Sequence, residues 1–372
     1  MIVSINNPIQ ATWIFSFILL AALLASLRSR RIAEWLPASL TTELKGMAIL
    51  MIVISHIGYF LVSDHRFLWP LSIMAGVGVN LFLFLSGFGL ASSGLQKDLS
   101  VWQFYKRRLL KLFVPFWLSI AVFLAADFFI LGKAYSFQFI GRAILGIFKH
   151  ADLYNDLNSP LWYFTFILLC YLLFPLVFSK KRLWLTAIIF FIAGDLFVRM
   201  NPDYFIGVMH LYKVHIFAFP LGILAAGIVL KLPSASILER SSKGWRAIGY
   251  YLTILIFLAV FAYANFNSGI GESAAKEQWM SLLAVVSIVL VFILKKREYR
   301  LFSIFGLYSY EIYLWHWPIL YRYDLLYGIM PAWLATVLYL IAFLGIGWAA
   351  QKASAFIFSL KNPAGSLVKK KD

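Results

Sequence analysis

Twelve side chains among the 372 residues have the chemistry for work inside an apolar interior: Lys45, His56, Asn80, Ser86, Asp127, Asp195, His210, Lys213, His215, Ser309, Glu311 and His316. Each lies within or at the end of an apolar run, where a polar or ionisable group is costly and serves either as a paired structural group or as a functional one. Lys45 and His56 are eleven residues apart. On a helix that is roughly 16 Å of rise and close to three whole turns, so both share a face. A cation at one mouth and an imidazole deep in the interior suit an elongated anionic ligand, the cation meeting its charged end and the base its reactive end. His316 stands thirteen residues beyond Ser303, roughly 20 Å along a second helix, so two histidines from different helices reach a comparable depth. Ser309 precedes His316 by seven residues and faces the same way, nearer the helix start.

The elements that must hold these groups are membrane helices. The chain is 62% hydrophobic and 13% charged, against about 25% charged in a soluble domain. Apolar stretches of spanning length fall near residues 11–27, 46–62, 70–92, 112–131, 160–178, 183–199, 205–230, 247–265, 279–294, 303–321 and 332–350. The loops after the odd-numbered stretches are basic: Arg28, Arg30 and Arg31; Lys97, Lys106, Arg107, Arg108 and Lys111; Lys180, Lys181 and Arg182; Lys231, Arg240, Lys243 and Arg246; Lys295, Lys296, Arg297 and Arg300. The intervening loops hold only scattered cations. Positive charge marks the cytosolic side. The expected architecture is therefore all-α, a polytopic transmembrane bundle of about 11 helices with the N-terminus outside and the C-terminus cytosolic.

The formal charge of +17 sits in short tracts between apolar spans, which argues against nucleic-acid binding. A single cysteine, Cys170, excludes a disulfide within one chain. His150, Asp152 and Asp156 form a cluster by composition alone, too weak to signal a metal site.

Five segments, in order, resemble the acyltransferase 3 family of membrane-bound, acyl-CoA-dependent transferases. They are Glu43-Leu-Lys-Gly-Met-Ala through His56; Gly78-Val-Asn-Leu-Phe-Leu-Phe-Leu-Ser-Gly-Phe88; Phe104-Tyr-Lys-Arg-Arg-Leu-Leu-Lys111 with Pro115; Leu161-Trp-Tyr-Phe with Pro175; and Gly306-Leu-Tyr-Ser-Tyr-Glu-Ile-Tyr-Leu-Trp-His-Trp-Pro318. The family often carries arginine where Lys45 stands; lysine keeps the charge without the planar fork. The resemblance implies an additional N-terminal helix and linker over 1–42, a membrane domain over 43–350 and a basic cytosolic tail over 351–372. It further implies a multi-pass protein of the bacterial cytoplasmic membrane that moves an acyl group, most simply acetyl from acetyl-CoA, to a hydroxyl of an extracytoplasmic glycan or glycolipid. His56 would then be the general base and His316 its partner. Lys45, Arg107, Arg108, Lys111 and Ser309 would hold the donor, and Asn80 or Ser86 would donate to the developing oxyanion.

Plainer readings stand beside these. His56 could be a structural histidine bridging helices, His316 within Trp-His-Trp-Pro an interfacial anchor, and Arg107-Arg108 no more than the cytosolic charge signal. Polar residues on several spans are also what a transporter or flippase of a lipid-linked glycan would show, and paired broken helices would favour that class.

Overall fold

A computed structural model describes residues 3–30, 34–98, 100–153, 155–233, 235, 246–269 and 273–361. Arg31, Arg240, Lys243 and Lys369 to Lys371, all read as cytosolic charges, lie outside the described residues. The chain is a helical membrane bundle: α1 (Pro8–Ala25), α2 (Ala38–Ser55), α3 (Ala75–Gln96), α4 (Val101–Leu131), α5 (Phe137–Ile144), α6 (Trp162–Val177), α7 (Leu183–Met200), α8 (Ile206–His215), α9 (Ala218–Val229), α10 (Arg246–Phe266), α11 (Ala274–Leu294), α12 (Arg300–Leu307), α13 (Ser309–Arg322) and α14 (Ala332–Lys361). Among the described residues ten helical stretches are long and apolar enough to cross a membrane, with α8 and α9 together forming one of them.

Four features differ from the hydropathy reading. The basic run Lys106 to Lys111 is the opening of the 31-residue α4, not a loop; lysine and arginine are good helix formers, and hydropathy does not register that. The stretch 303–321 is not one helix but two, interrupted at Tyr308 (φ −111°, ψ 13°). The stretch 205–230 is likewise divided at Ile216 and Phe217, because Pro220 has no N–H for the Ile216 carbonyl and its ring crowds that group. At the C-terminal end α14 continues to Lys361, so the region read as a tail from 351 begins as helix.

Close helix contacts set the geometry around Lys45. Gly46 of α2 abuts the Phe302 carbonyl of α12, and Gly306 of α12 abuts the Thr42 carbonyl of α2. A Cβ at either position would enter the other helix's backbone, so the two helices touch main chain to main chain, as small residues permit in membrane bundles. The same end is locked by charge. Glu43 accepts from the Lys295 ammonium and, at 2.6 Å, from the Tyr299 amide. Arg30 reaches the Phe292 carbonyl at 2.8 Å, satisfying an acceptor that the end of α11 leaves without an intrahelical donor. Leu27–Ser29 (β1) and Arg297–Tyr299 (β2) pair as a two-stranded antiparallel ribbon. The exit of α1 is thereby tied to the connection between α11 and α12.

The opposite end is held by a second network. Asp127 of α4 receives Arg322 and the hydroxyls of Tyr135 and Tyr323, both at 2.5 Å. Asp195 pairs with Arg199, one turn later on α7.

Candidate active site

Prolines open the helices around the centre, and side chains close them again. Pro318 deprives the Leu314 carbonyl of its helical donor, and the Asn158 amide supplies one at 2.9 Å. Tyr310 donates to the Leu112 carbonyl at 2.6 Å, in the turn loosened by Pro115, and Tyr105 to the Leu172 carbonyl at 2.6 Å, beside Pro175. Tyr313 donates to the Pro160 carbonyl at 2.7 Å. The Asn158, Tyr310 and Tyr313 contacts clamp α13 between α4 and the 158–160 segment and fix the rotation at which it presents His316.

His56 follows α2 at the first position of a wider, π-helical turn, His56–Leu61. Such turns re-aim side chains and are frequent at functional sites. The His56 Nδ1 lies 2.7 Å from the His316 Nε2, the rings nearly parallel at 13°. Trp317 meets His56 edge-on, with centroids 5.1 Å apart. His316 is fully buried. Its Nδ1 faces only acceptors, the carbonyls of Ile312 and Tyr313, each at 3.0 Å. With both rings neutral that nitrogen carries the hydrogen, so the His316 Nε2 accepts and the His56 Nδ1 must donate. The free lone pair of the dyad is therefore on the His56 Nε2.

Toward the basic end a cavity of about 200 Å³ is lined by Lys45, Ser86, Arg108, Lys111, Ser309 and four tyrosines, Tyr163, Tyr171, Tyr310 and Tyr313. Ser86 owes its placement to the next residue. Gly87 lies against the Phe219 carbonyl of α9, so α3 and α9 touch along that face while Ser86 points elsewhere. The Tyr313 ring, on the cavity wall, is centred 6.5 Å from His316. Lys45 also borders a wider groove of about 640 Å³ between the start of α2 and the ends of α3 and α9, with Ser92, Gln96 and Lys97 on its walls.

The residues singled out from sequence thus divide. Lys45, Ser86, Arg108, Lys111 and Ser309 meet in one cavity, and His56 meets His316. Arg107 is exposed and outside that cavity. Asn80 belongs to a separate buried cluster: its amide donates to the Ser281 hydroxyl at 2.6 Å, and its oxygen lies 2.8 Å from the His215 Nδ1. The four cavity tyrosines had gone unmarked, although Tyr163, Tyr310 and Tyr313 stand inside quoted motifs. Among the described residues, no group of three or more His, Cys, Asp or Glu gathers at metal-binding distance.

The family model described as an acyltransferase domain matches residues 44–352. That interval takes in both histidines and every cavity cation while leaving α1 outside it. Comparison with curated proteins and with solved structures returned no match. The chain belongs to the acyltransferase 3 family and is a multi-pass membrane acyltransferase.

Proposed function

We propose that this enzyme takes an acyl group, acetyl by preference, from acyl-CoA on the cytosolic side of the bacterial cytoplasmic membrane and transfers it to a hydroxyl of an extracytoplasmic glycan or glycolipid. The observation that carries this reading is the His56–His316 contact, which leaves the Nε2 of the half-buried His56 as the free base of the pair. In the proposed step that nitrogen accepts the acceptor's hydroxyl proton as the oxygen attacks the thioester carbon. The His56 cation that forms donates through Nδ1 to the His316 Nε2, and its new proton then passes to the departing thiolate. An ester and a free thiol result. General-base assistance of this kind contributes about 10² to 10⁴ in rate.

The basic end supports the donor assignment. A 200 Å³ cavity is smaller than the about 300–1,000 Å³ of sites that enclose a whole drug-sized ligand. It suits a thioester arm, with the nucleotide phosphates held at its rim by Arg108, Lys111 and Lys45, and the adjoining groove receiving the rest. Ser86 and the cavity tyrosines supply neutral hydroxyl donors along that path, and Ser86 is the candidate for the oxyanion. Asn80, engaged elsewhere, is better read as a structural residue.

The test is His56→Ala in purified protein supplied with radiolabelled acetyl-CoA and acceptor glycan. The expected result is loss of transfer with acetyl-CoA binding retained; full transfer removes His56 from the mechanism. A second reading, transport of a lipid-linked glycan, draws on the two interrupted stretches at 216–217 and 308. Uptake of labelled glycolipid into proteoliposomes without CoA is its test.

A further inference from the structure

At the end of the bundle remote from the basic cluster, a groove of about 1050 Å³ opens between the first half of α1 and the segment that follows the His56 turn. Its walls include Thr12, Trp13, Asp64, His65, Arg66 and Trp69. Trp13 and Trp69 are 72% and 55% exposed, come from different elements and border the same space. Indoles near a membrane surface commonly serve as anchors. Here two of them flank one groove, with a polar strip between.

The polar strip indicates what kind of ligand the groove suits. Arg66 grips Asp64 through Nε at 2.9 and 3.1 Å, through Nη2 at 2.6 Å and through its backbone amide at 3.0 Å. These hydrogen bonds hold the Asp64 carboxyl down at about 2, so it stays an acceptor-only anion, while the Arg66 side chain remains 67% exposed. Side by side, the two charges cancel at a distance, which disfavours an anion such as phosphate. Their fixed donors and acceptors match the adjacent hydroxyls of a neutral polyol. A sugar ring is such a polyol, and its C–H faces are apolar enough to lie against an indole.

The groove is also built rather than incidental. Thr12 accepts the Leu68 amide at 2.7 Å and donates to the Pro8 carbonyl at 2.7 Å. Leu68 is held at φ 61°, a conformation leucine rarely adopts. The loop thus keeps its shape through a residue of α1, the helix outside the family match. The groove adjoins the dyad through aromatic rings: His56 contacts Phe60, Phe60 contacts Tyr59, and Tyr59 lies 5.0 Å from His65 on the groove wall.

We propose that this groove binds a pyranose unit of the acyl acceptor, with Trp13 and Trp69 as stacking platforms and Asp64 and Arg66 reading its hydroxyls. The proposal rests on the acyl-transfer reading above and assigns its acceptor side. The sugar could belong to a lipid-linked or a free glycan.

The experiment uses the full chain in lipid nanodiscs and methyl pyranosides of glucose, galactose, N-acetylglucosamine and rhamnose, each bearing a photoreactive diazirine, alongside the same sugars with a long alkyl tail. At least one sugar is expected to label residues 9–16 and 63–70. Trp13→Ala and Trp69→Ala should each cut that labelling about tenfold, a change of about 1.4 kcal/mol, while Trp13→Phe and Trp69→Tyr restore most of it. Stronger labelling by the tailed probes identifies a lipid-linked acceptor, and equal labelling a free one. No labelling by any sugar, labelling spread over lipid-facing helices, or labelling undiminished in both alanine variants overturns the proposal. Binding of radiolabelled acetyl-CoA in the same nanodiscs should be unchanged by the groove variants. Its absence in the unmodified protein would instead sink the donor reading, whatever the sugars do.

Discussion

The side-chain amide of Asn158 caps the Leu314 carbonyl, two residues before His316. A residue outside the helix thus completes the turn that Pro318 leaves open, in the stretch that carries His316. Asn158→Leu strands a buried acceptor, which costs about 1–3 kcal/mol. The expected outcome is a lower melting temperature together with a fall in turnover that exceeds any rise in the Michaelis constant for acetyl-CoA. Thermal denaturation and initial rates of the purified variant across a range of donor concentrations check this.

Truncating His316 tests the dyad more directly. His316→Ala removes the acceptor that fixes the His56 tautomer, so transfer is expected to drop by about 10² to 10³, with acetyl-CoA binding retained. A turnover within twofold of the parent enzyme would show that His56 needs no orienting partner.

The two neighbouring arginines of α4 are predicted to behave differently. Consecutive helical residues point about 100° apart, and only Arg108 reaches the cavity. Arg108→Ala and Lys45→Ala should each raise the Kd for acetyl-CoA about tenfold, the loss of a charge-assisted contact worth about 1.4 kcal/mol. Arg107→Ala should leave it within about twofold, as expected for an exposed charge. Isothermal titration with the three variants decides between donor contact and a general cytosolic charge signal.

At the basic end, Lys295→Met leaves Glu43 buried without its cation. Breaking one side of such a pair costs about 3–5 kcal/mol, whereas Glu43→Gln combined with Lys295→Met removes both charges and should recover much of the lost stability. Thermal denaturation of the single and double variants in one detergent measures the coupling.

How much of this was legible from the residue string follows from what periodicity can report. Apolar runs separated by cations disclosed the membrane bundle, and the eleven-residue offset from Lys45 to His56 put them on one helical stretch, Ala38–Leu61. The meeting of His56 with His316 was accessible because equal depth on two helices can be counted from their starts. Faces were harder. Asn80 and Ser86 are six residues apart, a turn of about 600°, so they point different ways, and grouping them as alternative oxyanion donors overlooked that rotation. The cavity tyrosines were hidden by their chemistry, since an amphipathic ring suits a membrane interface as well as a polar pocket. Interruptions at Tyr308 and at 216–217 escaped because a window average over an apolar stretch does not change when its backbone bends.

The contact between Gly46 and Gly306 has a mechanical consequence. Because α2 meets α12 through bare backbone, the spacing of the helices that lead to the two imidazoles is independent of any side chain facing the Lys45 cavity. Mutations that enlarge, shrink or recharge the cavity wall leave that spacing untouched. Such a scaffold can accept a larger, smaller or differently charged cavity wall without moving the two imidazoles apart, whereas a side chain at either glycine would push the two backbones apart.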